Sequence, residues 1–252
     1  MNNRFVFFKV SILIFVCLIG AGTSGQNLLW YSAYGGDNVD HPAGISFDQH
    51  HNTYITGTFY STVFSAPPLS IPKGPNIIFF LLKLDPYGTP ELLIRPNRGT
   101  FYGANVQADS KENIYLLAVY SGSARLLYNQ DLPFPGDGGR GILVKYDQSG
   151  NVQWYHTMLN EDWVGIRVGL AVVGDNHMVL AGSGRDTVFG YQSDTSFVMQ
   201  LNVRCLDSTG IVKWYHSFNA SDQSHWKRIN FKSIRRGLDD KIYIAGTKYT
   251  DT

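Results

Sequence analysis

The sequence is short of cysteine, of charge and of helical pattern. Its 252 residues include only 2 Cys, which excludes a small fold stapled by disulfides. Charged side chains make up 16%, well under the roughly 25% of ordinary soluble domains. Basic and acidic residues number 21 and 20, for a formal charge of +1. So little charge of either sign suits neither a disordered tail nor a coiled coil, and no nucleic-acid partner is expected. No apolar pattern of helical period lasts about 11 residues, so amphipathic helices are not expected either. The usual signatures of hydrolase elbows, phosphate-cradling loops and metal knuckles are missing, and no cofactor is expected. What the chain does have is 14% aromatic residues and 26 Gly.

Residues 1–25 are read as a signal peptide. Arg4 and Lys9 make a basic start, VSILIFVCLIGAG (10–22) is an apolar core of suitable length, and GTSG (22–25) offers small residues for cleavage before Gln26. A retained helix is the alternative, although the run falls short of the about 20 residues of a span. A lipid anchor on Cys17 is disfavoured by the bulky Ile14, Phe15 and Val16 before it. No stable membrane span is expected after cleavage, and the protein is expected to be secreted or at the cell surface. Cleavage leaves Cys205 as the single cysteine, in the strand-like FVMQLNVRCLD (197–207), where a buried structural thiol is expected.

Residues 26–252 repeat with a period of roughly sixty residues. An apolar strand ending in Asp-x-x-Gly occurs as FFLLKLDPYG (79–88), ILVKYDQSG (142–150) and VMQLNVRCLDSTG (198–210). Asp85, Asp147 and Asp207 open these turns and Gly88, Gly150 and Gly210 close them. Asp first and Gly fourth suit a type I turn, so these Asp are expected to be turn formers and not acids or metal ligands. An aromatic strand follows the turn, with Trp154 in NVQWYHTM (151–158) and Trp214 in IVKWYHSF (211–218). Trp30 in NLLWYSAYGG (27–36) matches them, and Leu92 stands at this phase in the second unit. Such residues are expected to fill the gap between stacked sheets. Two further strands complete each unit; Tyr54, Tyr115 and Tyr243 recur at one phase, and Gly57, Gly182 and Gly246 near the strand end. Proline-rich excursions at 65–77 and 125–140 interrupt equivalent joints.

Four short strands per unit predict an all-β, propeller-like array of about four blades. The unit edges are placed near 27–88, 89–150, 151–210 and 211–252. The last blade is incomplete, stopping before an Asp-x-x-Gly strand, so the ring is expected to be open or the chain a fragment of a longer repeat protein.

The order Trp30, Gly35, Gly36, Asp40, Gly44, Asp48, Asn52, Tyr54, Gly57, then Phe80, Lys83, Leu84, Asp85, Gly88, resembles the SBBP-type beta-propeller repeats of secreted bacterial proteins. The resemblance is good in the first unit, moderate in the second and looser in the third and fourth. It implies extracytoplasmic blades, often beside adhesion, Ig-like or sorting modules. It implies no particular activity and no set of catalytic residues.

Several residues invite chemistry. His41, His50 and His51 lie near Asp40 and Asp48 but lack a metal-ligand spacing, and they are read as solvated turn residues. His156 and His216 follow Trp-Tyr in both copies, which marks a repeat. Glu161 and Asp162 are adjacent carboxylates, whereas glycoside hydrolysis needs two that face each other across a bond. Lys227, Arg228, Lys232, Arg235 and Arg236 form the one basic cluster, read as a solvated or edge-protecting strand face. Asn219 opens a formal glycosylation sequon. No catalytic residue is assigned, and the chain is not expected to be an enzyme. A non-catalytic extracellular scaffold, or a module binding a protein or glycan, is the leading expectation. A carbohydrate-active propeller enzyme and a fragment of a larger secreted protein are the alternatives.

Overall fold

A computed structural model describes residues 30–74, 76–127, 130–134, 139–157, 168–184, 200–218 and 228–249. Every regular element among them is a β-strand. The all-β expectation is met, and its cause is the period-two or fully apolar character of every run between turns.

The first sheet contains β1 (Asp40–Phe47) and β2 (Thr53–Phe59). The excursion after β2 folds as its own hairpin, β3 (Val63–Ala66) and β4 (Leu69–Pro72). Strands β5 (Ile78–Leu84) and β6 (Pro90–Ile94) complete the antiparallel order β1-β2-β5-β6. The second sheet repeats that order with β7 (Arg98–Ala108), β8 (Ile114–Leu127), β10 (Arg140–Tyr146) and β11 (Val152–Thr157), the short β9 (Gln130–Asp131) pairing with the end of β8. The third contains β12 (Val168–Val173), β13 (His177–Gly184), β14 (Gln200–Asp207) and β15 (Val212–Phe218). Last come β16 (Arg228–Arg236) and β17 (Ile242–Tyr249), a two-stranded sheet. The described strands form no closed ring.

These sheets are cut differently from the sequence units. Edges drawn after residues 88, 150 and 210 fall in the turn joining the third and fourth strands of a sheet. The strand after each turn therefore completes the sheet before it. A tight hairpin dictates this, because two strands joined by so short a turn pair with each other.

The turns themselves are alike in atomic detail. Asp85 Oδ1 accepts the amides of Tyr87 and Thr89 at 2.9 and 2.7 Å. Asp147 Oδ1 accepts those of Ser149 and Asn151, both at 2.9 Å. Asp207 Oδ1 accepts those of Thr209 and Ile211, both at 3.0 Å. The closing Gly88, Gly150 and Gly210 have φ of 83°, 84° and 86°, a left-handed backbone that favours glycine. Thr89, Asn151 and Thr209 supply the leading donors that hold the three carboxyls below the ordinary Asp range. All three Asp are thus committed to shaping turns.

Glycine at these turns has a second cause, which reaches across sheets. Trp30 lies on Gly88, where a Cβ would sit 2.6 Å from the indole, and its Nε1 donates to Pro86 O at 3.2 Å. Leu92 and Ile94 of the first sheet cover Gly150 of the second, with 3.0 and 2.6 Å to such a Cβ. Trp154 and His156 of the second cover Gly210 of the third, and Trp154 Nε1 donates to Ser208 O at 2.9 Å. Each turn is thereby locked beneath a large side chain from the preceding unit. Trp30 does this without a strand: among the described residues 30–34 belong to none, and Gly35 makes one isolated bridge to Ser65.

Between the locks lie three apolar layers. Tyr54, Phe79 and Leu81 of the first sheet pack on Phe101, Leu116 and Val144 of the second. Tyr115, Leu117 and Leu143 of the second meet Val168, Leu170 and Met178 of the third. Ala171, Val179, Val203 and Cys205 of the third meet Phe231 and Ile234 of β16. Cys205 is buried, as expected of a structural thiol. The first strands also run side by side, β1 against β7, β7 against β12 and β12 against β16.

Candidate functional site: the polar junction of the first two sheets

A cluster of titratable side chains lies where the β1–β2 turn meets the β7–β8 turn. Both turns obey one rule. Asp48 Oδ1 accepts the amides of His50 and Asn52 at 2.8 and 2.9 Å. Its Oδ2 accepts Asn52 Nδ2 at 2.8 Å and the Tyr54 hydroxyl at 2.9 Å. Asp109 does the same for Lys111 and Asn113, both at 2.9 Å, for Asn113 Nδ2 at 2.8 Å and for the Tyr115 hydroxyl at 3.1 Å. The recurrence of Tyr in the sequence therefore records a buried Asp–Asn–Tyr cluster. Burial, and then the carboxylate beside it, pushes each hydroxyl well above its ordinary range, so both remain neutral donors. Burial raises the Asp48 pKa too, but the bonds from Asn52 and Tyr54 outweigh it and lower the value overall.

His51, Glu112 and Asp240 share one position in three equivalent turns, and all are left-handed, with φ of 65°, 60° and 62°. A side chain there emerges from the turn instead of lying along a strand. Glu112 uses this exit to reach the first sheet: its Oε2 lies 2.8 Å from Lys83 Nζ and its Oε1 3.1 Å from His50 Nδ1. Lys83 also meets Glu91 at 3.0 Å. Burial alone would lower the Lys83 pKa, but Glu112 and Glu91 outweigh it and raise the value. Gln49 Nε2 donates to Ser110 O at 2.9 Å, and Ser110 in turn hydrogen-bonds Asp175 of the third sheet. Equivalent turns are thus linked hand to hand along one edge of the stack.

Asp48, His50 and Glu112 are the one group among the described residues whose potential metal-ligand atoms lie within 4.8 Å of one another. Both Asp48 oxygens already serve four donors, and Glu112 already holds an ammonium. A divalent ion would have to break the turn cap and displace Lys83, so this donor set suits a structural ion pair. His41 is exposed on β1, edge-on to the Tyr60 ring at 5.5 Å. His156 lies tilted against Trp154 at 5.2 Å and His216 edge-on to Phe218 at 4.5 Å. Tyr243 bonds Asp239 Oδ2 at 3.1 Å yet is 56% exposed, against 0% for Tyr54 and 1% for Tyr115. Arg228, Lys232, Arg235 and Arg236 lie on β16, where Arg236 pairs with Asp240. Glu161, Asp162, Asn219 and Lys227 lie outside the described residues.

The sequence did not single out Lys83, Glu91 or Glu112 as partners. A signal existed for Lys83: Lys145 recurs two residues before the next turn Asp, lies 5.4 Å over the Tyr115 ring and also reaches the following sheet.

No helix among the described residues is long and apolar enough to cross a membrane. The sequence matches no family model and no curated protein. Among solved structures, a mutant of Synechocystis ACO is similar at 13% identity and a TM-score of 0.37, over 70% of this chain and 38% of that one. This chain therefore spans under half of that neighbour's length, and so distant a likeness assigns neither fold nor activity.

Proposed function

We propose that this chain is a non-catalytic extracytoplasmic scaffold or interaction module, whose four-stranded sheets are blades of a propeller-like array similar to SBBP-type repeats. One observation carries the reading. The polar residues of the repeated turns, Asp85, Asp147 and Asp207 and the Asp48 and Asp109 clusters with their Asn and Tyr, recur in equivalent places and are consumed there, capping a turn or holding a tyrosine. Active centres usually break such a pattern, because one site needs groups that the other copies do not. The meander order of the sheets and the side-by-side first strands support blades. The apolar leader at residues 10–22 supports export.

The test is a screen of purified protein against polysaccharides, following binding and release of reducing ends together. Saturable binding without turnover, or no turnover at all, is the expected outcome. Specific hydrolysis of any glycan removes the scaffold reading and leaves the carbohydrate-active enzyme. Export is tested separately: the N-terminus of protein recovered outside the cytoplasm is expected at Gln26.

A further inference from the structure

We propose that Trp214 and the outer edge of β17 form a docking site for a β-hairpin that carries an Asp-x-x-Gly turn. The inference deepens the scaffold reading by naming the chemistry of a partner.

Register comes first. Leu92 stands opposite Lys83, Trp154 opposite Lys145 and Trp214 opposite Cys205. Each faces the residue two before a turn Asp, so the three side chains are equivalent by pairing as well as by sequence. Leu92 and Trp154 cover the turn glycine of the following sheet. Trp214 is 50% exposed, and Ile211, Val212 and Phe218 beside it are also exposed.

The second observation is the last sheet. β16 and β17 copy β1 and β2 down to their irregularity: the register shifts between Phe231 and Ser233 as it does between Pro42 and Gly44. Gly246 stands where Gly57 does, and Tyr243 where Tyr54 does. In the complete sheets the far edge of the second strand is taken by β5, β10 or β14, the strands that lead into the Asp-x-x-Gly turn. Among the described residues β17 pairs with β16 alone. A strand added to its outer edge would bring its turn beneath Trp214, where the turn glycine accepts the indole face and the residue after Asp accepts the indole N–H. The face also continues an existing interface, since Phe231 and Ile234 of β16 already pack on the third sheet. Strand addition would satisfy the edge and supply affinity through main-chain hydrogen bonds, while the apolar cover over the turn would give specificity.

A second copy of the described structure fits poorly as the occupant. Its three such turns are already covered by Trp30, by Leu92 with Ile94, and by Trp154 with His156. The partner is therefore a hairpin whose turn glycine is open.

The probe is a synthetic peptide of residues 139–157, which spans one such hairpin. It is titrated into isotope-labelled protein while the indole N–H resonances are followed, that of Trp214 being identified by its loss in Trp214→Phe. The expected result is a saturable shift of the Trp214 signal, half complete below about 1 mM peptide. The Trp30 and Trp154 signals stay in place. A peptide with Gly150→Val, whose turn rejects the ring, leaves Trp214 unmoved. No shift with the natural peptide, or equal shifts with both peptides, overturns the proposal. So does a Trp214 shift that follows protein concentration without peptide, which assigns the face to a second copy. Glycan turnover would end the scaffold reading without moving this resonance, so the two can fail separately.

Discussion

Trp154 and Trp214 sit in nearly the same words, VQWYHT and VKWYHS, and lead different lives. Trp154 is half-buried, its indole bonded to Ser208 and its ring over Gly210. Trp214, at the same register, is half exposed. Tyr115 and Tyr243, each on the second strand of its sheet, repeat the contrast. Closely similar local sequence thus sets the strand, the turn and the direction of the side chain. Whether that side chain stabilises anything depends on the neighbouring sheet, which is a matter of what stacks next.

The contrast can be broken most forcefully at a filled lock. Gly210→Val forces a β-branched residue into a left-handed backbone and drives its side chain into His156. A loss of about 3 kcal/mol or more is expected in urea denaturation, beyond ordinary surface changes. Removing the cover instead of the cradle should cost less. Trp154→Ala is expected to lose about 2–3 kcal/mol, and Trp214→Ala under about 1 kcal/mol, in the same measurement. Equal losses would mean that Trp214 is packed as Trp154 is. Smaller again is the hydroxyl comparison: Tyr115→Phe removes a buried bond to Asp109 and should cost about 1–2 kcal/mol, Tyr243→Phe under about 0.5 kcal/mol.

Acid sharpens the picture at the turns. Asp85, Asp147 and Asp207 titrate below the ordinary range because backbone and side-chain donors favour their ionised form. Their stabilisation is present above the unfolded value of about 3.9 and is lost as pH falls through the lower folded values. The melting temperature should therefore hold down to about pH 4 and decline below it. Asp147→Asn should flatten the decline slightly.

What could be seen in the sequence was what is local. The Asp-x-x-Gly turns close within four residues, and the recurring Tyr lies six residues from its Asp in the first two sheets, so spacing alone exposes them. The all-β class follows from the same short range. The unit edges were displaced because periodicity marks a repeat without saying which strand starts a sheet. The Lys83–Glu112 pair was hidden because its members come from different sheets, and a charge pair leaves no periodic trace. The locks were half visible: the large residues and the glycines both stood out, but only stacking shows that each covers the turn of the next unit. The exposure of Trp214 could not be read at all, since its words match those of Trp154.

Amide hydrogen exchange tests most directly whether the stack is closed through its third sheet and open at its fourth. The amides of β2, β8 and β13, paired on both sides, should exchange slowly and together. Alternate amides of β17, those that do not bond to β16, should exchange faster by orders of magnitude. Protection of those β17 amides equal to that of β8, in dilute protein without a partner, would contradict the open edge and with it the contrast between Trp154 and Trp214.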